Sequence, residues 1–289
     1  ALLSDIRVND YKKVDILIVI DNSGSMQYEQ QSMASRVRNL MRVIRGLDYQ
    51  IAVTTTDPRD IPLGDGRFIP IWGTQNQFII DPSTPEEVAQ ERLGKTLQRP
   101  ETGYGLEQPI RVVYRAIERS RDGRNPVHAQ FFRQDAQFAV LVISDEDESD
   151  NTPKNDPENL IALVNNVFNG QKRFSFHSII TRPGDVACRS THGAAYGERL
   201  ARMSELTGGI IGSVCETDYG AQLSGIGEGI RNLLKTLTLQ CQPLTQCPIT
   251  IKRNGVVQSS LNFVVEGVNL RFATELEPGD YQVSYRCLR

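Results

Sequence analysis

Oxygen-bearing side chains alternate along a short segment near the start of the chain. Asp21, Ser23 and Ser25 lie in the run Asp-Asn-Ser-Gly-Ser-Met, directly after the apolar residues 14–20. One carboxylate and two hydroxyls at the first, third and fifth positions of a tight loop offer oxygen ligands for a hard cation. Gly24 allows the backbone to turn between them. The spacing therefore predicts a metal-binding loop.

This loop resembles the metal-ion-dependent adhesion site of von Willebrand factor A domains, in its Asp-x-Ser-Gly-Ser-Met form. The resemblance covers about residues 12–237. In that family, a threonine that opens a later helix and an aspartate that ends the fourth strand complete the site. Thr102 precedes a helix expected around Leu106, and Asp145 follows the apolar residues 138–143. The resemblance thus implies a metal site made of Asp21, Ser23, Ser25, Thr102 and Asp145.

The resemblance also implies a binding function. Mg²⁺ prefers octahedral oxygen coordination and keeps some of its waters, and Mn²⁺ or Ca²⁺ are alternatives. If the hydroxyls bind directly and the two aspartates act partly through water, the cation stays electrophilic. An Asp or Glu side chain of a protein partner then completes its coordination. We therefore expect a protein-binding or cell-adhesion module that is not an enzyme.

A dense acidic run begins at Asp145 and ends at Asp150. From Glu146 onward a solvated loop is the expected structure. Asp147 and Asp150 offer an alternative, a second site of the Ca²⁺ type, although their spacing lacks the Gly and the terminal Glu of an EF-hand loop. The histidines have no ligand spacing among themselves and are expected to be packed or surface residues: His128, His177 and His192.

Alternating strands and helices must position these residues. The unbroken apolar run 14–20 is typical of a strand buried on both faces of a parallel sheet. Further strands are expected at 49–56, 138–143, 174–180 and 210–214, with amphipathic helices between them. The alternation predicts an α/β fold with a doubly wound, mostly parallel central sheet flanked by helices, Rossmann-like in type. Such sheets place ligands at the carboxyl ends of their strands.

Two segments interrupt the alternation. Residues 57–101 contain six prolines and the only tryptophan, so we expect an insertion with a hairpin of 68–71 and 77–80 and a helix toward Leu97. This insertion leaves Thr96 and Thr74 as alternatives to Thr102. After Cys241, short alternating runs predict a small all-β module. The expected domains are a metal-dependent binding domain at 1–240 and a disulfide-linked β module at 241–289.

The five cysteines all lie in the C-terminal half, and no two have the two-residue spacing of zinc ribbons. Two disulfides are expected, with one thiol left over and the connectivity open. The candidates are Cys188 and Cys215 in the first domain and Cys247 and Cys287 in the last segment, where Cys241 also lies. Disulfides indicate an oxidising compartment: periplasmic, outer-membrane-anchored or extracellular. Five thiols in a cytosolic protein are the alternative.

Composition excludes several partners. A net charge of −3 without a Lys/Arg block argues against nucleic acid. No apolar run approaches the roughly 20 residues of a transmembrane helix, so no transmembrane segment is expected in this chain. The sequence begins at Ala1 without Met, so it looks trimmed or processed, and a signal peptide or lipid anchor could have been removed. The Asp-Asn-Ser-Gly-Ser-Met form of the loop looks bacterial, so a bacterial secreted or surface protein is expected. The oligomeric state is not indicated.

Three rival functions share parts of these patterns. A haloacid dehalogenase-type phosphatase needs a second aspartate two positions after the first, where this chain has Ser23. A nucleotide-cleaving fold with an Asp-x-Asp pair matches Asp145 and Asp147, but it needs a Glu at another strand end, where Asp21 lies. An intracellular adaptor of a chelatase-like ATPase uses the same metal site. The cysteines and the β module favour the extracellular reading over that adaptor.

Overall fold

The computed structural model describes residues 2–8, 13–101, 103–170, 172–192, 195–244, 246–277 and 279–287. The strands, in chain order, are β1 (Leu2–Val8), β2 (Lys13–Ile20), β3 (Asp48–Thr55), β4 (Gln137–Ile143), β5 (Phe174–Ile180), β6 (Ile211–Ser213), β7 (Thr236–Thr238), β8 (Thr250–Arg253), β9 (Val256–Val257), β10 (Phe263–Glu266), β11 (Asn269–Phe272) and β12 (Gly279–Tyr285). The helices are α1 (Gln27–Val43), α2 (Glu86–Leu97), α3 (Pro109–Arg119), α4 (Pro126–Phe131), α5 (Pro157–Val167), α6 (Val186–His192), α7 (Glu198–Leu206) and α8 (Tyr219–Leu233).

A five-stranded parallel sheet forms the centre of the larger part of the chain, in the order β3-β2-β4-β5-β6. This arrangement confirms the predicted α/β fold. The register sets Ile20 beside both Thr55 and Ile143, so β2, β3 and β4 end at the same level. Their carboxyl ends therefore form one edge of the sheet.

Helices cover both faces of this sheet. On one face, Ile16 and Ile18 of β2 belong to an apolar cluster with residues of α1, α2 and α8. On the other face, Leu17 and Val19 pack in a cluster with residues of α3, α5 and α7. All four β2 side chains are fully buried. Burying both faces explains the unbroken apolar run, because each such side chain contributes roughly 1.5–3 kcal/mol.

A buried ion network holds β2 near its amino end. Arg133 Nε donates to Asp15 Oδ1 at 2.8 Å, and Lys172 Nζ lies 3.1 Å from Asp15 Oδ2. Asp15 and Lys172 are fully buried. Removing one partner from such a network leaves an unpaired buried charge and typically costs about 3–5 kcal/mol. The network thus fixes the strand that leads to Asp21.

The insertion does not form the predicted hairpin. Within the described residues 57–101, Ile71 N donates to Gln77 O at 2.7 Å, but neither segment becomes a regular strand. Both segments instead reach β3: Ile69 N donates to the Val53 carbonyl, and Ile80 forms an antiparallel bridge with Ile51. The physical reason is that β3 is the edge of the sheet, so its free backbone groups are available. The predicted helix is confirmed as α2.

The β module contains more of the chain than the last 49 residues predicted for it at 241–289. Its two antiparallel sheets have the orders β1-β12-β8-β9 and β10-β11-β7. β1 pairs with β12 from Leu2 opposite Tyr285 to Val8 opposite Gly279, and β7 pairs with β11. A boundary at residue 240 therefore leaves out two strands that precede it. β1 pairs with the edge of β12 opposite β8, and β7 pairs with the edge of β11 opposite β10.

Two disulfides form, and one differs from the expected candidates. Cys188 pairs with Cys215, with a Cα–Cα distance of 5.5 Å. Cys241 pairs with Cys287 at 5.9 Å, and Cys247 is free. The naming of Cys247 as a partner is thus corrected to Cys241. The reason is strand geometry: β12 ends beside the segment after β7, where Pro243 forms a bridge with Cys287.

No helix among the described residues is both long and apolar enough to cross a membrane.

Candidate metal site

The two aspartates of the predicted site lie at the ends of neighbouring strands. Asp21 directly follows β2, and Asp145 follows β4 after one intervening serine. The Asp21 backbone N–H donates to the carbonyl of Ile143 at 3.0 Å, which extends the pairing of the two strands beyond their ends. Parallel strands thus bring two carboxyl groups, 124 positions apart in the sequence, to one edge.

The loop after β2 turns its hydroxyls toward Asp145. Ser23 N donates to Asp21 Oδ1 at 2.8 Å, and a single 3₁₀ turn, Gly24–Met26, follows. Ser23 Oγ lies 3.0 Å from Ser25 Oγ, and Ser25 Oγ donates to Asp145 Oδ1 at 3.3 Å. Met26 is fully buried and anchors the turn. Ser23, Ser25 and Asp145 are therefore brought together.

Asp21 lies beneath the hydroxyls and is fully buried. Ser144 Oγ donates to its Oδ2 at 2.7 Å, and Gln30 Nε2 donates to its carbonyl at 2.7 Å. Burial raises the pKa of Asp21 to about 6, although hydrogen bonds from Ser144 and Ser23 lower it, and the nearby Asp145 charge raises it further. A cation on the open side would favour the ionised form.

Thr102 lies outside the described residues, and the helix after it begins later than predicted. α3 starts at Pro109, a residue well suited to the first helical position, and not around Leu106. Residues on both sides of Thr102 contact the loop after β2: Gly103 N donates to the Asn22 carbonyl at 2.7 Å, and Asn22 Nδ2 donates to Glu101 at 3.3 Å. Glu101 and Gly103 thus contact Asn22, the residue that follows Asp21.

The two alternatives to Thr102 are engaged elsewhere. Thr96 Oγ1 donates to the Arg92 carbonyl and accepts from Trp72 N at 2.9 Å. Thr74 Oγ1 donates to the Ile71 carbonyl at 2.7 Å. Both hydroxyls therefore satisfy local backbone groups within the insertion.

The acidic run is not a solvated loop throughout. Asp147 accepts from the backbone N–H groups of Arg199 and Leu200 at 3.1 to 3.2 Å, so it caps the start of α7. Glu148 is 5% exposed and accepts from Ile110 N and Arg111 N at the start of α3. The expectation of a solvated loop was wrong for these two residues. Carboxylates are stabilised at helix N-termini by free N–H groups and the helix dipole.

These contacts also give Asp147 a role other than the predicted second acidic site with Asp150. Both Asp147 oxygens accept from α7. Asp150 Oδ1 accepts from the neighbouring Asn151 N at 2.7 Å. None of these hydrogen bonds joins the Asp147 carboxylate to the Asp150 carboxylate.

The donor set fits a hard cation. No group of three His, Cys, Asp or Glu side chains that could hold a metal occurs among the described residues, so a cation at this edge would rely on mixed ligands. Two carboxylates and two hydroxyls are oxygen donors of the kind that Mg²⁺, Mn²⁺ and Ca²⁺ accept. His128 and His177 are buried packing residues, as expected, whereas the side chain of His192 lies outside the described part.

A cleft opens beside Ser25. Its volume is about 640 Å³, and it extends from Ser25 past Tyr28 and Arg182 to the Cys188–Cys215 disulfide. Tyr28 is 68% exposed. Arg182 pairs with Glu216 at 3.0 Å. The open side of the metal loop thus adjoins a surface that carries aromatic rings, one paired arginine and three acidic side chains.

No protein-family model matches the chain, and no curated protein matches it. Among solved structures, it is similar to the pilus adhesin SpaC of Lactobacillus rhamnosus GG in its open conformation, with 13% identity and a TM-score of 0.45 over 98% of this chain and 40% of that one.

Two further solved structures are similar at the same low level. Proximal thread matrix protein 1 of the mussel byssus has 14% identity and a TM-score of 0.44 over 83% of this chain and 52% of its own. Manganese-loaded TRAP protein of Plasmodium vivax has 11% identity and a TM-score of 0.35 over 70% of this chain and 75% of its own. The chain spans about half or less of the first two proteins.

Proposed function

We propose that this chain contains a von Willebrand factor A-like domain that binds Mg²⁺ and uses it to capture an acidic side chain of a protein partner. One observation carries the proposal: Ser23, Ser25 and Asp145 converge above the buried Asp21 at the carboxyl edge of the sheet. The cation ligands would be Asp21, Ser23, Ser25 and Asp145, with Thr102 as the fifth. Mn²⁺ and Ca²⁺ are alternative occupants.

Binding, and not catalysis, is the function that this donor set supports. Ser23 and Ser25 are neutral ligands on the solvent side, so a cation held by them keeps part of its positive charge for a further ligand. A carboxylate of a partner matches that need. At position 23, a phosphatase of the haloacid dehalogenase type would need a carboxylic acid to protonate the leaving group.

The setting of the site supports an adhesion-type role outside the cytosol. Two disulfides are typical of proteins in oxidising compartments. The cleft beside Ser25 offers Tyr28 and Arg182 to a partner's side chains. We therefore propose a periplasmic, outer-membrane-anchored or extracellular location.

Metal titration tests the proposal directly. Mn²⁺ binding followed by electron paramagnetic resonance should weaken at least about tenfold in Ser25→Ala, about 1.4 kcal/mol, because one ligand is lost. Ser35→Ala on the exposed face of α1 is the matched control and should bind Mn²⁺ as the wild type does. Equal Mn²⁺ affinity in the wild type, Ser25→Ala and Ser35→Ala would contradict the proposal.

Carboxylate capture is tested on the Mn²⁺-loaded protein. Acetate should displace a metal-bound water and lower the enhancement of water-proton relaxation, whereas equal chloride should not. No response to acetate, or turnover of a generic aryl phosphate, would contradict a binding function.

A further inference from the structure

A groove lies at the amino end of β3, at the opposite end of that strand from the metal loop. Its volume is about 810 Å³, and it runs between the start of β3 and residues 81–86 of the insertion. Tyr49, in its wall, lies about 20 Å from Thr55 at the carboxyl end of β3, at roughly 3.3 Å per residue. We call it the β3 groove, and its lining residues include none of the described metal-loop ligands.

Tyr49 is a buried polar residue in the wall of this groove. It is 6% exposed, and its hydroxyl forms no hydrogen bond with any described residue. Buried tyrosine hydroxyls normally have a partner. Burial raises the pKa of Tyr49, and the negative charges of Asp81 and Glu86, which line the same groove, raise it further. The hydroxyl therefore lies on the groove side, where a ligand can reach it.

The β3 groove carries more negative than positive charge. Its charged side chains are Arg45, Asp48, Asp81 and Glu86. Two of the carboxylates already have a cationic partner: Glu86 Oε1 lies 2.6 Å from Arg45 Nη2, and Asp48 Oδ1 lies 2.6 Å from Arg133 Nη1. Asp81 has no cationic partner among the described residues. Its charge is thus the one in the groove that the described part of the fold leaves uncompensated.

The fold uses one oxygen of Asp81 and holds the residue in place. Asp81 Oδ1 accepts from Ser83 N at 2.9 Å and from Ser83 Oγ at 2.5 Å. No described residue donates to Asp81 Oδ2. Ile80, directly before it, forms the bridge with Ile51 on the edge of β3. A fixed carboxylate and a fixed hydroxyl therefore border the same groove.

A basic side chain suits this pair of groups. An ammonium or guanidinium group donates strongly to a carboxylate, and a tyrosine hydroxyl accepts a further N–H. The alkyl stem of Lys or Arg packs along apolar surface, which Met41, Leu47 and Pro82 supply in the groove. An anion would be repelled by Asp81, and a neutral ligand would leave its charge without a counter-ion.

We propose that the β3 groove binds a Lys or Arg side chain of a protein partner, with the cationic group between Asp81 Oδ2 and the Tyr49 hydroxyl. Pockets of about 300–1,000 Å³ hold drug-sized molecules, so the groove also has room for neighbouring residues of the partner. This contact does not use the cation of the metal loop. The chain would therefore bind a basic side chain at one end of β3 and, through the proposed metal, an acidic one at the other.

Two small probes that differ in charge test the assignment. N-acetyl-arginine amide carries a guanidinium, N-acetyl-citrulline amide is its neutral isostere, and neither has a carboxylate to bind a metal. In NMR titrations, the wild type should bind the arginine probe at least about tenfold more tightly, with shifts at residues 81–86. Asp81→Asn should abolish this preference, because it removes the charge but keeps the acceptor for Ser83. Asp122→Asn is the matched control and should keep the preference, since Asp122 Oδ1 accepts from Arg124 N in the same way outside the groove.

Tyr49→Phe separates binding from folding. Because the hydroxyl has no partner among the described residues, its removal should leave the free energy of unfolding unchanged or higher. Binding of the arginine probe should weaken in the same variant. EDTA should not change the affinity of the wild type for the probe.

Each contrary result overturns the proposal. Equal binding of the two probes by the wild type, or a preference that survives in Asp81→Asn, would show that Asp81 recognises no cation. A loss of stability in Tyr49→Phe would show that the hydroxyl serves the fold, and unchanged probe binding would exclude it from the site. Binding that EDTA abolishes would place the probe at the metal loop. The metal-loop proposal is decided separately, by the Mn²⁺ titration of Ser25→Ala.

Discussion

Asp21 and the serines after it have different surroundings, although they form one motif. Asp21 is sealed beneath the edge of the sheet by Ser144 and Gln30, whereas Ser25 lies on the exposed surface. A buried carboxylate with fixed hydrogen bonds keeps its position whether or not a ligand is present. The exposed hydroxyls are the part of the motif that a partner can approach.

At the residue scale, His177 predicts a pH dependence of stability. Its Nδ1 accepts from Ile210 N at 3.0 Å, its Nε2 lies 2.9 Å from Ser175 Oγ, and burial lowers the pKa of His177 to about 4. The unfolded chain takes up this proton near pH 6.5, and the folded chain only near pH 4. Stability is therefore fully present above pH 6.5 and falls as the pH is lowered toward 4. Between pH 7 and 5 this residue should account for about 2 kcal/mol.

Urea unfolding of the wild type and of His177→Gln at pH 7 and pH 5 measures this effect. The variant should lose about 2 kcal/mol less than the wild type over the interval, because Gln does not titrate. Identical losses in both proteins would show that the imidazole is protonated in the folded state.

The metal-loop residues could be predicted from the sequence because their spacing is local. Asp21, Ser23 and Ser25 lie within five positions, and a tight loop after a strand brings them together. Ser144 and Gln30 could not be predicted in the same way. Their roles depend on which strands are neighbours and on which side chains meet at the edge of the sheet. The adjacency of Ser144 to Asp145 is the one signal that the sequence offered.

At the element scale, some helix caps come from residues next to the helix in the sequence, and others come from residues far away. Asp156 caps α5 by accepting from Asn159 N at 3.0 Å, and it directly precedes Pro157 at the first helical position. Asn169 and Gly170, with φ of 53° and 65°, follow the end of the same helix. The caps of α3 and α7 come instead from Glu148 and Asp147, far away in sequence. No local pattern identifies a cap of this kind.

Asp147→Asn tests the role of the distant cap on α7. We expect a loss of about 1 kcal/mol in the free energy of unfolding, because the carboxylate bonds to Arg199 N and Leu200 N are weakened. Mn²⁺ affinity should be unchanged. Chemical denaturation gives the first quantity and metal titration the second. A variant with wild-type stability but weaker Mn²⁺ binding would return Asp147 to the metal site.

The difference between neighbouring and distant residues also explains why the strands of the β module were predicted incompletely. β1 was not predicted as part of it, because its partner β12 lies at the opposite end of the chain. The alternation of polar and apolar residues shows which face of a short strand is buried, but it does not show which strand pairs with it. The edge of β3 was likewise an unforeseen partner for the insertion, since pairing there depends on the order of strands in the sheet.

At the scale of the whole molecule, the disulfide between Cys241 and Cys287 joins the segment after β7 to the segment after β12. It closes a loop with a sequence separation of 46 residues, so the loss of this constraint on the unfolded chain should cost up to about 4 kcal/mol. The double variant Cys241→Ser with Cys287→Ser should therefore unfold at lower urea concentration than the wild type. Cys247→Ser, which removes the free thiol, is the control and should change stability by less than about 0.5 kcal/mol. A larger loss in the control would favour Cys247 as the bonded partner.

The pairing of β1 with β12 has a mechanical consequence. Because the strands are antiparallel and Leu2 lies opposite Tyr285, tension applied at these two residues separates β1 from β12 one hydrogen bond at a time. The Tyr285 end of β12 is tied through Cys287 to Cys241, and β12 also pairs with β8, so it is β1 that peels away first. The residues released from β1 would extend under tension before the force reached β2 and Asp21. Optical-tweezer extension between residues 2 and 285 should show this peeling as a step at lower force than unfolding of the parallel sheet, and a single simultaneous rupture would rule it out.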